Sequence, residues 1–247
     1  MKTLKGKLIL YFSSILLSVT LCLCFYYFYM NCRSQKEELI RNTKTNIEYF
    51  QGNINKMLFR CEKLSDYIYL NRAVGKVLIR NYEDESKTYY NYDQDIAGAI
   101  NALMIRIDND IVSDYIRGIT IKGNNGKVIK YGIEADYVNL DSLENQDWFK
   151  ENVGNHTMQW LPIVKNDSEI REKDYLIPIV RQIISSDTHK SIGWQFISVS
   201  PNIIEEAIDN FEFQNRDILF VYDRKGNCVY SNKKELVGRE VLPQRLT

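Results

Sequence analysis

The sequence predicts an α+β protein in which one long helix leads into an antiparallel sheet. Three observations point there. An uncharged apolar run occupies Leu8–Met30, an apolar stripe in steps of three and four follows it, and from Tyr115 to Ser200 the pattern changes to period two. A helical half followed by a strand-rich half is the mark of an α+β layered arrangement.

Residues 1–7 form a short tail, and Lys2, Lys5 and Lys7 stand in it with no acid among them, which favours a cytoplasmic N-terminus. The run "LILYFSSILLSVTLCLCFYYFYM", 8–30, spans roughly 34 Å as a helix, enough to cross a bilayer's hydrocarbon. Tyr26, Tyr27 and Tyr29 suit the far interfacial belt. A cleaved signal peptide would need a shorter core and a small-residue exit, whereas "FYYFYMNCRS" is bulky. The run therefore reads as an uncleaved anchor, with the domain after it outside the cell.

A long helix is predicted over 31–82, unbroken by proline. Its stripe is Ile47, Phe50, Ile54, Met57, Cys61, Leu64 and Ile68. Such a stripe packs on its own domain, pairs with a second copy in a homodimer, or does each along part of its length. A charged break at Asn81–Lys87 precedes a second helical stretch, whose apolar face is Ile96, Ile100, Leu103 and Ile107. Strands are expected at Tyr115–Lys122, Lys127–Tyr131, Met158–Leu161, Tyr175–Ile184 and Ser191–Ser200, with short helices at Asp147–Glu151 and Pro201–Phe211.

Two hairpins share one grammar. "GITIKGNNGKVIKYG" and "ILFVYDRKGNCVYSN" each carry apolar alternation, a polar turn closed by Gly126 or Gly226, and a second apolar segment. They read as two copies of one module.

Composition excludes several classes. Net charge is zero, so no basic excess points to nucleic acid. Cys22, Cys24, Cys32, Cys61 and Cys228 show no metal spacing, and His156 and His189 fall in no metal-binding motif. No nucleophile elbow and no phosphate-cradling glycine loop is present, so this chain reads as no enzyme, with no cofactor. Asp141, Glu144, Asp147 and Glu151 read as solvated surface, with calcium as the alternative. Asn155 and Asn166 fall in sequons.

The informative group is aromatic: Trp148, Phe149, Trp160 and Tyr175, with Arg181 an even number of residues from Tyr175. On one strand those two share a face. An arginine there needs a bound anion, or an internal acid, to offset its desolvation. These five are the candidate ligand-binding residues.

The succession "NINKMLFRCEKLSDYIYLNRAVGKVL", "QDWFKENVGNHTMQW", "LIPIVRQIISSDTHKSIGWQFISVSPNIIEEAI" and "ILFVYDRKGNCVYS" resembles the extracellular double Cache sensor region of YesM-type bacterial histidine kinases. The resemblance implies two PAS-like modules on one long helix. The membrane-distal module, 83–200, holds a small ligand, and residues 201–247 form a linker helix and an incomplete membrane-proximal module. It further implies a two-component kinase core absent from this chain, which ends at Thr247 before the second module closes. The same ectodomain design resembles those of chemoreceptors, cyclic-dinucleotide enzymes and membrane-bound transcription regulators; a non-signalling surface module is the other alternative. Amino-acid-binding members of the wider group carry an arginine two places before a Trp-Tyr pair. Here Gln146 and Phe149 depart from that pattern. The departure favours a sugar or another uncharged metabolite over an amino acid.

Overall fold

The computed structural model describes residues 4–82, 88–165, 175–208, 218–223 and 226–239. The chain divides into two units, Met1–Gln51 and Gly52–Thr247. Helix α1, Leu4–Leu70, runs through the division without interruption.

Within the first unit the apolar run is a helix with all its side chains exposed, and an 18-residue window in it reaches a mean hydropathy of 2.3. By length and composition it is long enough to cross a membrane. The hydroxyl of Thr20 donates to the carbonyls of Leu16 and Leu17 and that of Ser18 to the carbonyl of Ile15, so these two side chains are satisfied by their own helix. Leu39, Ile40 and Ile47 are exposed.

In the second unit the same helix buries one face. Met57, Cys61, Leu64 and Ile68 are at most 8% exposed, against 59% for Ile47, so the stripe changes role along its length. Each fully buried leucine or isoleucine contributes about 1.5–3 kcal/mol. The helix predicted over 31–82 breaks early. Asn71 takes an extended backbone and its side chain accepts from the amides of Ala73 and Val74, capping a new helix α2, Arg72–Ile79. Helix α3, Thr88–Ile107, packs on α2 and buries Ala99, Leu103 and Ile107, with Ile96 and Ile100 half-buried. Residues 83–87 of the expected charged break lie outside the described residues.

The sheet contains β1 (Ile116–Gly123), β2 (Val128–Tyr131), β3 (Gln159–Trp160), β4 (Val164–Lys165), β5 (Tyr175–Ile184) and β6 (Ser191–Val199). Their order is β2-β1-β6-β5-β3, β4 also pairing with β5, and every pairing is antiparallel. Gly126 closes the first hairpin at φ +76° and Gly226 the second at φ +86°, the left-handed geometry that glycine allows. The second hairpin is β7, Phe220–Tyr222, with β8, Cys228–Ser231. Before it stands helix α6, Ile203–Ile208; its expected continuation to Phe211 lies outside the described residues.

Strand register separates two faces. Ile121, Gln195 and Arg181 lie side by side across β1, β6 and β5, as do Thr120, Phe196 and Val180 on the opposite face. The first set meets α1: Gln195 donates to the backbone carbonyl and the hydroxyl of Ser65. The second set meets two short helices, α4 (Leu140–Asn145) and α5 (Asp147–Asn152).

Candidate functional site

The second face carries the candidate site. Asn139 caps α4 by accepting from the Ser142 amide at 3.0 Å. Lys122 on β1 then grips Glu144 at 2.7 and 2.8 Å, which holds α4 over the sheet. Helix α5 follows after Gln146 and sinks Phe149 to 2% exposure among Leu143, Leu161, Leu176, Val180 and Phe196. The Phe149 ring meets Trp148 edge-on at 5.9 Å and Trp194 edge-on at 5.0 Å.

Beside this cluster lies a pocket of about 220 Å³. Its apolar wall includes Trp148, Leu143, Val138 and Phe196, and its polar groups include Glu134, Asn139, Gln146 and Ser198. The Ser198 hydroxyl donates to the Gly118 carbonyl at 3.1 Å. Glu134 arrives on a tight turn over Ile133–Tyr137 that lies against β1. Gly118 permits this approach: a Cβ there would stand 2.7 Å from the Ala135 nitrogen. A small cavity with an aromatic wall and converging polar groups is the usual form of a metabolite site.

The five sequence-predicted residues do not come together. Trp148 lines the pocket, and Phe149 packs behind it rather than in it. The other three belong elsewhere. Trp160 pairs with Ile179 on the α1 face, where its indole N–H donates to Glu62 at 3.4 Å. Arg181 is on that face too; its Nη1 meets Asp66 Oδ1 at 2.7 Å, and its guanidinium stacks 4.2 Å from the Tyr69 ring centroid. Asp66, an internal acid, offsets its desolvation. Tyr175, despite matching Arg181 in parity, opens β5 with its ring against Gly238 beyond the second hairpin.

Reasoning from sequence missed Glu134, Phe196 and Ser198. Phe196 and Ser198 alternate with Trp194 along β6, a signal that was present; Glu134 carried none. Of the acids read as a solvated cluster, Glu144 is held by Lys122. Asn166, in the second sequon, lies outside the described residues.

No protein-family model matches the chain, and no curated protein matches it. Solved structures do. The ligand-binding domain of Campylobacter jejuni chemoreceptor Tlp3, in complex with L-valine, is 15% identical, with a TM-score of 0.56 over 85% of this chain and 78% of that one. The sensory domain of the same receptor with isoleucine bound gives 14% and 0.55, over 85% and 77%. The periplasmic sensory domain of Campylobacter jejuni Tlp1 gives 13% and 0.52, over 80% and 72%. The chain shares its fold with these sensory domains. The likeness bears on the fold alone and does not reach the YesM-type histidine-kinase branch expected from the sequence.

Proposed function

We propose that this chain is the extracytoplasmic sensor region of a membrane-anchored signalling receptor, and that it binds a small polar metabolite in the pocket beneath α4 and α5. The observation that carries the reading is the pocket itself, an aromatic wall and converging polar side chains on a sheet face closed by two short helices. Its volume is below the ~300–1,000 Å³ of drug-sized sites, which suits a compact ligand.

The neighbours' ligands are amino acids. Here Gln146 lines the pocket, and a neutral amide offers no charged fork for a carboxylate. Gln146 thus favours a sugar or another uncharged metabolite, while Lys165, which also lines the pocket, supplies a cation that keeps an amino acid as the second reading. Binding biases signalling only if the ligand prefers one arrangement of the domain over another. For the output, the chemoreceptor fold neighbours favour a chemoreceptor, and the histidine-kinase alternative rests on the succession of sequence segments. Exposed Leu39, Ile40 and Ile47 support a homodimer through α1.

The test is a thermal-shift screen of the full chain in detergent against monosaccharides, amino acids and organic acids. A ligand at 100 times its Kd adds about 2.7 kcal/mol, a shift of several degrees. The shift should disappear in Trp148→Ala and persist in Arg181→Ala. If no compound moves the melting point, or Trp148→Ala responds as wild type does, the assignment fails.

A further inference from the structure

We propose that α4 is a movable wall of this pocket and that the ion pair between Lys122 and Glu144 is the latch that holds it shut. The inference rests on the reading of the pocket as the ligand site and names what regulates access to it.

The wall is built to move as a unit. Asn139, Ser142, Leu143 and Gln146, all from α4 or its two caps, line the pocket. Both caps are extended, Asn139 at φ −76°, ψ 106° and Gln146 at φ −65°, ψ 133°. Gln146 closes α4 and opens α5, a joint of one residue. The segments outside these two joints are fixed. Before Asn139, Ala135 lies so close to Gly118 that a Cβ on that glycine would stand 2.7 Å from its nitrogen. After Gln146, Phe149 is 2% exposed in the core. Residues at the ends of elements, between fixed segments, are where hinge motion is absorbed.

Apolar packing holds α4 down only lightly. Its six residues bury one side chain, Leu143, whereas the eight of α2 bury three. Few buried apolar contacts mark the segments that open first. The polar tie to the sheet is the Lys122 ammonium, which meets both carboxylate oxygens of Glu144, at 2.7 and 2.8 Å. The two side chains are 26% and 33% exposed, so the pair is less screened than one on the open surface. Neither partner lines the pocket, and the latch can be cut without removing a group that contacts ligand. On the floor of the pocket, Phe196 and Ser198 are 4% and 3% exposed. Reaching that floor requires α4 to swing out, and a ligand that bonds to Ser142 or Gln146 favours the shut arrangement.

The test is access to the floor. Ser198→Cys is placed in the full chain in detergent, with Cys22, Cys24 and Cys32 changed to serine, and its labelling by the small uncharged reagent methyl methanethiosulfonate is timed. Burial raises the thiol pKa of Cys61 to about 12 and also raises that of Cys228, so neither competes for reagent. Glu144→Gln and Lys122→Met should each speed labelling by about fivefold, the change that corresponds to the upper end for exposed ion pairs. The double variant should be no faster than either single one, as expected of two halves of one interaction.

A second measurement keeps Ser198 native. In Glu144→Gln, hydrogen exchange should quicken at the amides of 143–146 and stay unchanged along β6. Labelling that does not accelerate, additive effects of the two variants, or equal quickening of exchange in α4 and β6 overturns the latch. No natural ligand enters either measurement, so failure here leaves the ligand-binding reading to be judged by the thermal-shift screen alone.

Discussion

Arg181 shows how a single side chain changes meaning once its surroundings are known. Strand parity predicts its face correctly but says nothing of what covers that face. Asp66 and Tyr69, more than a hundred residues earlier in the chain, supply the partners. Asp95 is the converse case, a buried acid one turn before Ala99 on the buried face of α3. Lys76 at 2.7 Å, Tyr82 at 3.0 Å and Arg80 at 3.1 Å converge on its carboxylate. Burial acts to raise its pKa, and the three hydrogen bonds outweigh it and hold the carboxyl below the usual range. A depressed folded value means that the stabilisation is present above the unfolded carboxylate pKa and is lost as pH falls through the folded one. Asp95→Asn should therefore destabilise the protein clearly at pH 7, with the difference shrinking at pH values below about 4. Urea titrations at pH 7 and pH 3 measure it, and a constant difference would contradict the assignment.

Among the helices and strands, two boundaries turn on local chemistry that hydrophobic pattern does not register. The first is Asn71, whose side chain accepts from two amides at 2.9 and 3.2 Å and begins a new helix where periodicity alone predicts continuation. Asn71→Ala should cost about 1 kcal/mol by the usual worth of such a cap, whereas Asn71→Ser should cost less. Thermal unfolding of both variants checks the order; equal losses would point to packing rather than capping. The second is Pro178 inside β5, a residue that usually argues against an interior strand. Its carbonyl accepts from Leu161 on the side where β3 has ended and β4 has not begun, so the missing N–H falls in a gap of the ladder. The two-residue strand β4 left no periodic trace, since a segment that short cannot alternate enough to be seen.

For the chain in its membrane, orientation can be read from a native reporter. Cys32 is exposed and stands just beyond the apolar run, while Cys61 and Cys228 are buried. With the sensor region outside, a membrane-impermeant maleimide applied to intact cells should label the protein once, and Cys32→Ser should abolish the label. Labelling that appears only after lysis would reverse the proposed orientation.

The amphipathic periods, the apolar run and the paired glycine turns were legible in one dimension, because each depends on neighbours a few residues apart. The two hairpins show this well: Gly126 and Gly226 need positive φ whatever packs around them. The pocket was not legible in the same way. Trp148, Phe196 and Glu134 come from a helix, a strand and a turn, and they meet because Gly118 admits a backbone that any larger residue would repel. Which aromatic faces a cavity and which faces α1 depends on sheet register, a long-range property set by the packing of both faces at once.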